Sequence, residues 1–219
     1  MNHGVFETIR VREGQAPLLD RHAIRLLAAC RALGLPEPGA SLERLVAPWL
    51  GTGDCVVRLE AGPAGSSVTT RATPPLAPLA VIVAATPHAS YPFKVTDRGT
   101  FAAAQAEALA AGADDALLLT ADGLVAEGTA WNIFWWEADQ LATPPLALGV
   151  LPGVARSRVA ELAPVGERAR SPAQLAGRAL FATNAVRGVV PIARLDGRPV
   201  PEDRRTARLA ERFWPDRGA

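Results

Sequence analysis

One lysine, Lys94, stands among the 23 basic residues of this 219-residue chain; all the others are arginines. A guanidinium stays protonated, whereas an ammonium drawn out of water can lose its proton and attack a carbonyl, forming a Schiff base. Arginine therefore replaces lysine as a surface charge but not as an amine nucleophile. The sole amine side chain is a candidate for covalent chemistry, with a base composition that disfavours lysine as the competing explanation. The other reactive residue types carry less. Cys30 and Cys55 are far apart and read as buried free thiols. His3, His22 and His88 are scattered, and no Cys/His spacing of the metal-binding kind occurs.

The formal net charge is +1 with 21% charged residues. No basic stripe points to nucleic acid and no acidic tail to a disordered partner, so a small molecule is the expected partner. The opening MNHGVFETIR lacks a basic segment followed by an apolar core, and no apolar run reaches the ~18 residues of a membrane span. The expected location is the cytoplasm.

The elements that must position Lys94 are legible in outline. Val5, Thr8, Ile9 and Val11 alternate around Glu13-Gly14, which reads as a β-hairpin. Asp20 is a plausible cap for a helix over RHAIRLLAACRALGLP, with Ile24, Leu27, Ala28 and Leu33 as its buried face and Gly34 and Pro36 as its stop. A short helix over 42–50 and the strands CVVRLEAG and SSVTTRAT follow. The proline-rich TPPLAPLA marks a domain boundary. Beyond it, LAVIVAATP reads as a strand buried on both faces, TFAAAQAEALAAG as a helix between Thr100 and Gly112, and DALLLTADGLVAEG as a hairpin turning at Asp122-Gly123. NIFWWEADQLATPP is expected to complete a meander; LPGVARSRVAELA opens a helix, ALFATN and VVPIARLDGRPV are strands, and Arg204 to Phe213 is a terminal helix. Strand and helix mix without βαβ alternation, so the expected class is α+β in two lobes, with a crevice between lobes as the usual cofactor position.

Five separated segments resemble the class IV pyridoxal-phosphate aminotransferase family, which holds branched-chain aminotransferases, D-amino acid aminotransferases and 4-amino-4-deoxychorismate lyases. YPFKVTDRGTF is similar to the family's K-x-x-x-R segment before a long helix, and LVAEGTAWNIFWW to its E-G-[ST]-x-x-N-[IL]-F stretch. The resemblance implies a two-lobed fold like that of D-amino acid aminotransferase, with a small N-terminal α/β lobe over residues 1–77 and a larger cofactor-binding lobe over 78–219. It implies pyridoxal 5'-phosphate carried on Lys94, which then shuttles protons as general acid and base. Glu127 would accept a charge-assisted hydrogen bond from the protonated pyridine nitrogen, keeping the ring an electron sink. Arg25 matches the phosphate-binding arginine, whose planar fork grips two oxygens. Gly153 and Val154 open a helix whose N–H groups and dipole favour an anion, and Thr183 could add a hydroxyl. A homodimer is implied as well.

Relatives usually begin with a longer strand hairpin, whereas this chain starts at Asn2-His3-Gly4, so a shortened N-terminal lobe is expected. Arg98 occupies the place where branched-chain aminotransferases carry a tyrosine, and FATNAVRGVVP is nearer to the lyases' N-[AS]-x-R-G-V than to the aminotransferases' G-T-A-A-E-[IV]-T-P. Both features imply 4-amino-4-deoxychorismate lyase, which forms 4-aminobenzoate and pyruvate for folate synthesis. The alternatives are an aminotransferase for branched-chain or D-amino acids and a non-catalytic relic of the fold. Thr8, Arg58, Asn184 and Arg187 are the expected substrate-facing residues.

Overall fold

The computed structural model describes residues 4–215, so Asn2 and His3 lie outside the described residues. Two units separate. One takes the chain up to Pro75 together with Phe93–Asp97, and the other takes Leu76–Pro92 and the chain from Arg98 onward. The segment bearing Lys94 thus folds with the first unit, although an expected division after residue 77 would assign it to the second.

In the first unit, strand β1 (Val5–Val11) pairs antiparallel with β2 (Cys55–Gly62), and β2 with β3 (Gly65–Arg71). Helix α1 (Leu19–Leu33) covers one face of this sheet. Val5, Ile9, Val11, Val57 and Leu59 from the strands form one apolar cluster with Leu19, Leu26, Ala29 and Cys30 from the helix. Each valine, leucine or isoleucine among them, fully buried, contributes roughly 1.5–3 kcal/mol before entropy is counted. The helix ends at Gly34, whose φ of 63° suits a residue without Cβ. Gly4 has no room for a side chain, since a Cβ there would lie 2.5 Å from the Ala61 carbonyl oxygen. Helix α2 (Leu42–Val46), capped by Ser41, runs into a 3-10 turn over Ala47–Trp49.

Three expectations fail in this unit. The residues after Glu13-Gly14 form a tight turn, with Arg12 bridged to Gln15, and pass Pro17 straight into α1. No return strand remains, so β1 pairs instead with distant β2. The buried face of α1 is Leu19, His22, Leu26, Ala29 and Cys30, while Ile24 is 70% exposed. That face is a different apolar stripe, and it also carries His22, part of a buried ionic cluster described below. Asp20 lies inside the first turn rather than at the cap, which is Leu18.

The second unit contains a nine-stranded sheet among the described residues. Its strands are β4 (Leu79–Val83), β5 (Asp115–Leu119), β6 (Val125–Gly128), β7 (Asn132–Glu137), β8 (Gln140–Thr143), β9 (Val165–Glu167), β10 (Leu180–Asn184), β11 (Gly188–Leu195) and β12 (Arg198–Pro199). Their order is β6-β5-β4-β11-β10-β7-β8-β9, with β12 on β11. The pairs β4/β5, β4/β11 and β8/β9 are parallel, the rest antiparallel. Helices α3 (Gly99–Ala110), α4 (Val154–Leu162), α5 (Pro172–Leu175) and α6 (Arg204–Arg212) complete it. Leu117, Ile133, Trp135, Leu180, Ala182, Val190 and Ile192 form its core, and Phe134 stacks on Phe181 at 5.0 Å.

The expected meander is replaced by a crossover. NIFWWEADQLATPP bends at Ala138, with a φ of 53°, into the hairpin β7/β8, and β7 pairs with β10 rather than with its predecessor β6. Both units mix strand and helix, in agreement with the α+β expectation. No helix among the described residues is long and apolar enough to cross a membrane.

Candidate active site

In the first unit, alternation along β1 sends Val5, Glu7, Ile9 and Val11 toward α1 and Phe6 and Thr8 to the other face. Glu7 is therefore a carboxylate at an apolar position, 1% exposed. It is held by α1, where His22 and Arg25 are one turn apart on one face. The Arg25 Nε and Nη2 groups donate to the two carboxylate oxygens at 2.7 and 2.5 Å, and His22 Nδ1 meets Oε2 at 2.6 Å. Burial raises the Glu7 carboxyl, but Arg25 and His22 outweigh it, bringing its pKa from 4.5 down to about 2. Burial pushes the His22 imidazole below its ordinary value against the pull of Glu7, and the nearby charges of Arg25 and Lys94 push the same way. An ionised Glu7 can only accept, so Nδ1 carries the proton. Arg25 spends two of its five N–H groups on Glu7, which fixes the plane of the fork.

Lys94 sits beside the outer edge of β1. Its carbonyl accepts the Phe6 N–H at 2.9 Å, Val95 bridges Val5, and Thr96 N–H donates to the Gly4 carbonyl at 2.8 Å. The Lys94 Nζ lies 4.5 Å from the centroid of the Phe6 ring, and the Arg58 guanidinium lies 3.8 Å from it. Thr8 and Arg58 are cross-strand partners, and Arg58 pairs with Glu60 at 2.5 Å. Thr8, Arg58, Phe6 and Lys94 thus gather on one part of the first unit, with Glu7 and Arg25 behind β1.

In the second unit, the spacing of the EGTAWN string has a structural reason. Gly128 N–H donates to the Trp131 carbonyl at 2.8 Å, closing a turn that returns the chain from β6 to β7. This brings Glu127 and Asn132 onto one residue, Leu151. Its N–H donates to both Glu127 oxygens, at 3.2 and 3.3 Å, and its carbonyl accepts from Asn132 Nδ2 at 2.9 Å. The turn is braced by Asp115, which accepts the Thr129 N–H at 2.7 Å and bonds the Thr129 hydroxyl at 2.9 Å. Burial raises the Asp115 carboxyl above its ordinary value, partly offset by these donors. Two residues beyond Leu151, Gly153 stands at the N-cap of α4, where a Cβ would come 2.0 Å from Asn132 Oδ1. Val154 then opens the helix with its first-turn N–H groups directed outward along the axis.

Thr183 lies across from Asn132 in the β7/β10 ladder, 1% exposed, and its hydroxyl donates to the Gly188 carbonyl at 2.9 Å. That proton is committed to the β10/β11 turn. Asn184 Oδ1 accepts the Val186 and Arg187 N–H groups at 3.0 and 2.9 Å, tightening the same turn. Arg187 is thereby set with its guanidinium 5.4 Å from the Trp131 ring centroid, and among the described residues it forms no ion pair. Arg98 donates to the Thr129 carbonyl and lies 4.9 Å from the Phe101 ring centroid.

Sequence reasoning passed over Glu7, His22 and His88. The signals available were a carboxylate at an inward position of β1 and a histidine spaced one helical turn from Arg25. For His88, which meets Glu127 Oε1 at 2.9 Å, no local pattern pointed to its partner. Among the described residues no group of three His, Cys, Asp or Glu side chains could hold a metal ion.

Residues 4–195 match the family described as class IV amino-transferase. Over 110 residues the chain is 36% identical to the probable branched-chain-amino-acid aminotransferase of Thermotoga maritima, covering 46% of this chain and 40% of that protein. The chain spans about two fifths of the length of the curated relatives it matches, 40% and 41%. An aminotransferase structure from Brucella abortus, bound to pyridoxal phosphate, superposes with a TM-score of 0.83 at 26% identity, over 96% of this chain and 87% of that one. A Legionella pneumophila structure assigned as a 4-amino-4-deoxychorismate lyase shares the fold, with a TM-score of 0.82 at 22% identity over 96% and 91% of the two chains. The two-lobed fold expected from the resemblance is the one found. Taken with the EGTAWN turn and the lysine segment, the match over residues 4–195 makes the chain a member of the class IV aminotransferase family, whose enzymes depend on pyridoxal phosphate.

Proposed function

We propose that this chain is a pyridoxal-phosphate-dependent 4-amino-4-deoxychorismate lyase, releasing pyruvate and 4-aminobenzoate. The residues present fit the cofactor. Gly153, where a Cβ would strike Asn132 Oδ1 at 2.0 Å, stands at the N-cap of a helix whose start is suited to a phosphate. Glu127 is a buried carboxylate held by a backbone donor, and Arg25 is a guanidinium whose plane is fixed by Glu7. In this reading Lys94 would bond the cofactor, Glu127 would accept a hydrogen bond from the protonated pyridine nitrogen, and Arg25, Gly153 and Val154 would bind the phosphate. Thr183 supports that group through the β10/β11 turn, its hydroxyl proton being committed to Gly188. When bound, pyridoxal phosphate supplies an aldehyde conjugated to an electron-withdrawing ring. Lys94 Nζ would be the group that moves a proton at the substrate carbon.

The observation that carries the lyase reading is the FATNAVRGVV turn. Asn184 fixes the backbone of Arg187, and the guanidinium against Trp131 is a cation suited to a substrate carboxylate. Thr8 and Arg58, adjacent across β1 and β2, are the other substrate-facing candidates. A second reading, transamination of a branched-chain or D-amino acid, is favoured by the likeness to the Thermotoga maritima protein. Incubating holoprotein with 4-amino-4-deoxychorismate and no amino acceptor separates the two. Catalytic release of pyruvate and 4-aminobenzoate supports the lyase. Stoichiometric conversion of the cofactor to its aminated form by an amino acid, without pyruvate from the chorismate derivative, supports the aminotransferase. A homodimer in the cytoplasm completes the proposal, the dimer to be tested by sedimentation of the holoprotein.

A further inference from the structure

His88 has no part in the roles assigned above, yet its imidazole is almost wholly buried and its Nε2 lies 2.9 Å from Glu127 Oε1. Both ends of the residue are fixed. Its backbone N–H donates to the Leu119 carbonyl at 2.7 Å, at the end of β5, the strand that pairs with the one carrying Glu127. Its ring stands edge-on to Phe101, with centroids 6.2 Å apart, and Phe101 is 4% exposed. Glu127 lies on a four-residue edge strand, where the broad χ3 torsion of a carboxylate is set by the side chain's own contacts. Leu151 N–H also donates to the carboxylate, nearly equidistant from the two oxygens, whereas His88 meets only Oε1.

We infer that His88 is a positioning residue that sets the plane and the basicity of Glu127 for a pyridine-type nitrogen. An ionised carboxylate only accepts, so the proton of this contact is on His88 Nε2 and the bond is charge-assisted. Donation to Oε1 breaks the equivalence of the two oxygens and fixes the torsion. It also withdraws negative charge, so Glu127 supports a protonated ring nitrogen without taking the proton away. This inference rests on the pyridoxal-phosphate reading of Glu127.

The test compares His88→Phe, which keeps a ring and loses the donor, with His88→Gln, which keeps a donor near the place of Nε2. Each is made in the native chain and in a Glu127→Gln background. Pyridoxal phosphate is titrated into each apoprotein, the dissociation constant and the long-wavelength absorption band are recorded, and far-UV circular dichroism checks the fold. The expected results are about tenfold weaker binding and a shifted or weakened band for His88→Phe, with His88→Gln within about threefold of wild type. Phe should add nothing once Glu127 is already Gln. Wild-type affinity and spectrum in His88→Phe would overturn the inference, as would an equal loss in the Glu127→Gln background. Should His88→Phe not fold, His88→Asn, which draws the donor back from Glu127, takes its place with the same expected losses. A wild-type protein that takes up no pyridoxal phosphate would refute the cofactor reading itself, and that result is read before any variant is made.

Discussion

Replacing Glu7 by Gln removes the charge at the centre of the buried cluster while keeping its shape. The folded-state pKa of about 2, against 4.5 for the unperturbed group, means that ionised Glu7 stabilises the fold. At ~1.36 kcal/mol per pH unit, this gap is worth about 3 kcal/mol at neutral pH. Breaking a buried ion pair on one side typically costs about 3–5 kcal/mol, which agrees. The sign follows from proton binding. A carboxyl with a lowered folded pKa contributes fully above 4.5, and the contribution disappears as pH falls toward 2. Urea unfolding followed by far-UV circular dichroism at pH 7 and pH 3 should therefore give a wild-type advantage of about 3 kcal/mol at the first and about 1 kcal/mol at the second. An advantage unchanged between the two pH values, or none at pH 7, would refute the claim that Glu7 is ionised and held by Arg25 and His22.

Gly153→Ala places a Cβ 2.0 Å from Asn132 Oδ1, so the Asn132–Leu151 bond or the start of α4 must move. We expect a loss of about 1–3 kcal/mol, a lower melting temperature and weaker retention of pyridoxal phosphate, partly restored by adding Asn132→Ser. Arg187→Leu should raise KM for a carboxylate-bearing substrate about tenfold or more while leaving the affinity for pyridoxal phosphate and the melting temperature close to wild type. His22, whose pKa burial lowers, binds a proton more readily in the unfolded chain. Wild-type stability should therefore start to decline as pH falls below 6.5, and His22→Asn should flatten that part of the curve.

The chemistry-bearing segments were legible because each is a short string whose local structure is nearly self-contained. EGTAWN closes its own turn through Gly128 and Trp131, and LPGVAR starts its own helix. What depended on distant partners was not legible. Apolar spacing assigned Ile24 to the inner face of α1, but an arginine and a histidine occupy that face, because Glu7 on β1 supplies the charge that permits them there. No window along the helix contains Glu7. The partner of β1 is β2, beyond two helices, and the partner of β7 is β10, beyond α4 and α5. Alternation identifies such strands but carries no information about which edge they meet. His88 was obscured for the same reason, since its contact with Glu127 spans β5, a helix and a turn.

The single lysine makes the central claim directly measurable, because the only other aliphatic amine available for labelling is the chain's own α-amino group. Purified protein is saturated with pyridoxal phosphate, reduced with borohydride, digested and weighed peptide by peptide. The account predicts one added cofactor per chain, carried by the peptide containing Lys94, and none in Lys94→Ala. Bound cofactor with an unmodified Lys94 peptide, or modification confined to the α-amino group, would contradict it.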